Sequence, residues 1–278
     1  MRSLLLTLPL LGACWPYIPG SWVDNAPARA AGSVSWVEYE GPGWADNTPT
    51  GGAVWGWFQL PQDDFSTNWV LAAPTGCTDK SVDLADYTSG LVDLQGATSV
   101  LSSSNGDVPL TWASDTRLYY APLVEGDMDS QAATWSLEET ALQEGSIEVS
   151  PFVTVPGQIP YYGPDPGDSE DANLQELALS QLAVTWSGET ADVVAVAGAL
   201  LNSQGEVLEQ WTCAAPVEDG QVSIPEDRWD EDNVDSAVYL LFGVSHLVIT
   251  STAIEGMEPV SRGVGTRTRL AFYTLDKP

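Results

Sequence analysis

The sequence predicts an all-β protein built as two β-sandwich domains. Apolar residues come in short alternating runs, Gly, Pro, Asn and Asp break those runs every few residues, and helical periodicity is nearly absent. A side-chain period of two, interrupted by turn formers, is the pattern of strands with one covered face. The 278 residues suit one large or two ordinary domains, and an apolar content of 44% is ample for packed cores.

Residues 1–13 stand apart from that pattern. Arg2 is followed by Leu4, Leu5, Leu6, Leu8, Leu10 and Leu11, and then by Gly12-Ala13-Cys14. A basic start, an apolar run of about 7–15 residues and small residues before a cleavage point make a secretory signal peptide. The run is shorter than the roughly 20 apolar residues that span a bilayer. Leu11-Gly12-Ala13-Cys14 resembles the bacterial lipobox, and that resemblance implies cleavage before Cys14 and lipid attachment to its thiol. In such lipoproteins an Asp after the cysteine often marks retention at the inner membrane. Trp15 stands there in this chain, so in a Gram-negative cell the resemblance implies delivery to the outer membrane. Two or three acyl chains anchor a protein firmly where one binds only reversibly. Residues 14–33, with Pro16, Pro19, Gly20, Pro27 and Gly32, read as a flexible tether.

The N-terminal β-rich domain is expected over residues 34–158. Val34, Trp36 and Tyr39 open a run that Gly41-Pro42-Gly43 breaks, and Val54, Trp55, Trp57 and Phe58 form another that stops at Pro61. Trp69 to Leu71, then Val82 with Leu84, then Leu91 to Leu94 continue the series. Asn105-Gly106 is a strong turn signal before Leu110, Trp112 and the Leu118–Tyr120 run. Trp135 to Gln143 holds good helix formers and reads equally as a helix or as a solvent-facing strand. Val149 to Val155 closes the domain at Pro156, and the Pro-, Gly- and acid-rich stretch 159–173 reads as a linker.

The C-terminal domain, residues 174–278, is patterned more cleanly. Leu182, Val184 and Trp186 alternate with Ala183 and Thr185. Asp192 to Leu201 and Val207 to Cys213 flank a hairpin loop at Asn202-Ser203-Gln204-Gly205. Val222 to Ile224, Ala237 to Phe242, His246 to Ile254 and Arg267 to Thr274 complete the set. About seven strands in about 100 residues is the size of an immunoglobulin-like sandwich. The lipobox, the tether, the two β-rich segments and the stretch Trp211-Thr212-Cys213-Ala214-Ala215-Pro216-Val217-Glu218-Asp219-Gly220-Gln221-Val222-Ser223-Ile224-Pro225 together resemble myxobacterial-type lipoproteins with immunoglobulin-like domains. The resemblance covers the layout of the whole chain, implies a fold and a location, and carries no catalytic residues.

Charge limits the partners. Nine basic residues face 39 acidic ones, a formal net charge of −30. Such a chain is repelled by nucleic acid and by anionic headgroups, so neither nucleic-acid binding nor an electrostatic peripheral membrane role is expected. The acid excess reads as solvation of the surface in salty surroundings, as sites for divalent cations, or as a match to a cationic partner. Arg262, Arg267 and Arg269 are expected to pair with carboxylates on neighbouring strands. With Cys14 lipidated, Cys77 and Cys213 remain, either bonded across the two domains or as two buried thiols.

Few residues suggest chemistry. The single histidine, His246, lies in an apolar run and reads as structural. The zinc-protease, nucleophile-elbow, phosphate-loop, dinucleotide and Cys-x-x-Cys motifs are absent from the sequence. Asp230, Asp232 and Asp235 offer oxygens to calcium on one acidic loop, or form a solvated loop, and no other cofactor is suggested. Seven of the 12 tryptophans precede residue 70. Trp44, Trp55, Trp57 and Trp69 are candidates for stacking on a sugar or filling a partner's pocket, against the plainer reading that they pack cores. The expected function is a non-enzymatic, lipid-anchored envelope protein with a binding or structural role toward an envelope protein or glycan. The alternative is a carbohydrate-binding module or a degenerate polysaccharide-acting enzyme.

Overall fold

A computed structural model describes residues 28–42, 48–62, 76–79, 98–115, 117–124, 126–127, 133–142, 145–157, 160–168, 173–188, 190–253 and 260–277. The fold is all-β. Its strands are β1 (Ala28–Glu40), β2 (Thr50–Gln62), β3 (Gly76–Thr78), β4 (Ser99–Ser103), β5 (Gly106–Ala113), β6 (Leu118–Leu123), β7 (Ala133–Leu142) and β8 (Gly145–Val155). They continue with β9 (Tyr161–Tyr162), β10 (Glu176–Ala178), β11 (Ala183–Trp186), β12 (Val193–Leu201), β13 (Val207–Pro216), β14 (Gln221–Ser223), β15 (Tyr239–Ala253) and β16 (Val260–Asp276). The described residues hold one short α-helix, α1 (Glu231–Ser236).

Thirteen strands form one mixed sheet in the order β3-β13-β12-β15-β16-β1-β2-β6-β5-β4-β7-β8, with β10 also on β16. A second sheet has the order β14-β11-β9. The join between the N- and C-terminal segments is made by the chain's first and last described strands. β1 runs parallel to β16 from Ala28 to Glu40 and antiparallel to β2 on its other side. The two expected sandwiches therefore share a sheet. Residues 28–33, read from composition as tether, are the first half of its central strand. Small residues favour that placement: a Cβ on Gly32 would stand 2.2 Å from the Val54 carbonyl oxygen and 2.6 Å from the Phe152 ring.

Two cores lie on one face of this sheet. The first contains Val34, Trp36, Trp55, Trp57, Tyr119, Leu123, Phe152 and Val153. The second gathers Val184 and Trp186 from β11 against Val194, Val196, Phe242, Val244 and Tyr273. The first core closes because β8 folds back over β15 and β16. Thr252 Oγ1 donates to the Pro151 carbonyl at 2.6 Å, and Thr154 N donates to Thr250 Oγ1 at 3.2 Å. Glycines permit that approach, since Cβ atoms on Gly263 and Gly265 would lie 2.0 and 1.9 Å from the Phe152 and Thr154 carbonyl oxygens.

Within the ambiguous 135–143 segment, the residues up to Leu142 belong to strand β7, held between β4 and β8, because pairing on both sides outweighs helix propensity. The two runs read as separate around residue 244 are one long strand, β15. The runs at Trp69–Leu71, Val82–Leu84 and Leu91–Leu94 lie outside the described residues, as does the lipobox.

Candidate functional site

The two cores meet at a buried charged seam. One register row crosses the sheet as Val194, His246, Arg267, Trp36, Gly51 and Leu123. Residues in register share a face, so His246 and Arg267 bridge the second core to the first. Both are 1% exposed. Arg267 Nε lies 4.0 Å from Glu38 Oε1, and Arg269 pairs with Glu40. These are the cross-strand pairs expected for Arg267 and Arg269. Burial lowers the pKa of His246 from 6.5 to about 4, and the Arg267 charge pushes the same way. Burial also lowers Arg269, against the opposing pull of Glu38. His246 is thus a neutral core residue at physiological pH, buried among the apolar neighbours that its sequence context showed.

Cys77 and Cys213 are joined by a disulfide, and they are directly paired residues of β3 and β13. The bond ties the short edge strand β3 to the second core. Cys14, the expected lipid site, lies outside the described residues.

The stacking and metal expectations need correction. Trp55 and Trp57 are 1% and 5% exposed. Trp55 stacks on Tyr119 with centroids 5.2 Å apart, and its Nε1 donates to Ser99 Oγ at 2.8 Å. Both indoles belong to the first core and present no face to a sugar, because they point to the covered side of β2. Trp44 and Trp69 lie outside the described residues. Asp230, Asp232 and Asp235 do not form a calcium loop. Asp230 is the N-cap of α1, and its Oδ1 accepts from the backbone N–H groups of Asp232 (2.9 Å) and Asn233 (3.3 Å). An Asp before a run of helix-compatible residues satisfies donors that the helix start leaves open. Asp232 and Asp235 then fall on the helix rather than around a cation. Among the described residues no three His, Cys, Asp or Glu side chains stand together as a cation site.

What the fold assembles instead is an acidic groove. The 3-10 turns Leu179–Gln181 and Glu226–Arg228, helix α1 and the C-terminal end of β16 border an open groove of about 980 Å³. Glu226, Asp227, Glu231, Asp235 and Asp276 line it and are exposed, while Trp229 forms a buried part of its wall. Lys277 also lines it, and its Nζ donates to the Asp235 carbonyl at 2.6 Å. Glu209 on β13 fixes the segment from behind. Its Oε1 accepts from Trp211 Nε1 at 2.9 Å, and its Oε2 accepts from Asp230 N at 3.0 Å and Asn233 Nδ2 at 3.1 Å. The outer end of the segment is held by Arg228, whose guanidinium lies 5.6 Å from the centre of the Trp211 ring. Sequence reading found the acids of residues 230–235 but missed Glu209, Trp229 and Asp276. Only their adjacency in space marks them, save that Trp229 immediately precedes the acid run.

The chain matches no protein-family model and no curated protein sequence.

Proposed function

We propose that this chain is a non-enzymatic, lipid-anchored protein of a bacterial cell envelope, with a binding or structural role. The observation that carries this reading is the placement of the side chains that chemistry would have used. His246, Trp55 and Trp57 are core residues, and Asp230 is a helix cap, while the exposed carboxylates gather in a groove on a doubly cored sheet. An all-β body with a charged recess suits presentation and recognition. The anchor rests on Leu11-Gly12-Ala13-Cys14.

Intact mass spectrometry of membrane-extracted protein tests the anchor. The expected mature chain begins at Cys14 and carries the added mass of two or three acyl chains, whereas Cys14→Ser stays unmodified and partitions into the aqueous phase. A wild-type chain with an unmodified Cys14 overturns the localisation.

A further inference from the structure

We propose that the folded body stands end-on from its membrane, with the N-terminal ends of β1 and β16 toward the bilayer and the C-terminal end of β16 outward. This rests on the reading of the chain as lipid-anchored at Cys14, and it assigns the surface left open to an envelope partner. β1 and β16 run parallel, from Ala28 beside Val260 to Glu40 beside Ala271. The first strand after the anchoring stretch therefore points the same way as the long last strand. The register row Gly263, Gly32, Trp55, Tyr119 and Trp112 crosses the sheet near the start of β1. It puts the exposed turn at Ser114, between β5 and β6, on the inward end. The row Thr274, Tyr239 and Leu201 crosses near the other end of β16. It puts the exposed turn at Ser203, between β12 and β13, on the outward end. Helix α1 lies at that end too, since Lys277 Nζ donates to the Asp235 carbonyl and Val238 N to the Leu201 carbonyl.

Length and charge both favour this orientation. Because β1 takes up residues 28–33, the chain between lipid and sheet is only Cys14 to Pro27. About 14 residues reach roughly 50 Å when fully extended, and roughly 20 Å as the flexible tether that their composition predicts. The 17 residues of β16 span about 55 Å. The inward end is thus held near the bilayer, and the outward end approaches it only if the body lies flat. Charge opposes lying flat. A surface of net charge −30 is repelled by anionic headgroups once it comes within about a Debye length, roughly 8 Å. A body tied at one end and repelled along its side stands upright. The hairpin Asn202–Glu206 and helix α1 are then presented to partners, while the Ser114 turn is shielded by the bilayer.

The test uses the full-length membrane-extracted protein in vesicles of phosphatidylcholine and phosphatidylglycerol that carry some headgroup spin-labelled lipid. Ser114→Cys and Ser203→Cys each add one thiol for a fluorophore, with Cys14 acylated and Cys77 bonded to Cys213. Both serines are exposed in turns, so neither change disturbs a core. Quenching by the spin-labelled lipid is expected to be several-fold stronger at position 114 than at position 203. Inserting a long Gly/Ser segment after Pro27 should bring the two values together, because a longer chain no longer holds one end close. Equal quenching in the unextended protein, stronger quenching at position 203, or a contrast that survives the insertion would each overturn the orientation. Flotation of the same samples reads the anchor separately. Protein that stays behind while the vesicles float overturns the anchor and the orientation together, whereas protein that floats with equal quenching at both positions overturns the orientation alone.

Discussion

At the scale of single residues, the seam gives the sharpest consequence. His246 lies in register with Arg267, beside the Glu38, Glu40 and Arg269 charges, and burial is the main cause of its pKa near 4. The native state therefore takes up this proton later than the unfolded chain does. Stability from this residue is complete above pH 6.5 and is lost as pH falls toward 4, by about 3 kcal/mol in all. Urea midpoints measured across that window should fall more steeply for the wild type than for His246→Phe, and parallel curves would show that the ring does not titrate as described. Trp55 makes a second prediction. Trp55→Phe leaves Ser99 Oγ without its indole donor at a buried position, and the expected loss is about 1–3 kcal/mol by thermal or chemical melt.

At the scale of elements, close packing of β8 on β16 is the most demanding contact. Gly265→Ala would set a Cβ 1.9 Å from the Thr154 carbonyl oxygen, whereas at Gly52 the nearest atom is 3.7 Å away. Gly265→Ala should thus cost about 3 kcal/mol or prevent folding, while Gly52→Ala changes stability by less than about 1 kcal/mol. Comparable melting temperatures for the two variants would mean that β8 does not press on β16 as described. Helix α1 depends on its cap. Asp230→Ala removes the acceptor for two backbone donors and should cost about 1 kcal/mol. Faster amide exchange confined to residues 231–236 is the expected signature. The same helix explains why an acid run that looked like a loop is ordered: its first Asp turns inward to the backbone and Glu209 grips it from β13.

At the scale of the whole molecule, the two cores are joined by the pairing of β1 with β16, and a disulfide pins the edge strand β3 to the second core. The Cys77–Cys213 bond closes a separation of 136 residues. Reducing it should lower stability by about 2–5 kcal/mol, seen as a lower urea midpoint with reductant than without, and an unchanged midpoint would contradict a stabilising role. The β1–β16 pairing puts the first and last described strands side by side in the sheet's middle. The sequence by itself determined the all-β class and most strand positions in residues 174–278, because alternation and turn residues are local properties. It also marked Arg267 and Arg269 for cross-strand pairing and His246 for the core. Tertiary structure alone decided that β1 is a central strand, that Trp55 and Trp57 face inward, that residues 133–142 extend rather than coil, and that Glu226, Trp229 and Asp276 border one groove. Each of those outcomes depends on which distant strand lies alongside, and that choice is made by the total burial and pairing of the finished sheet rather than by any short stretch of chain.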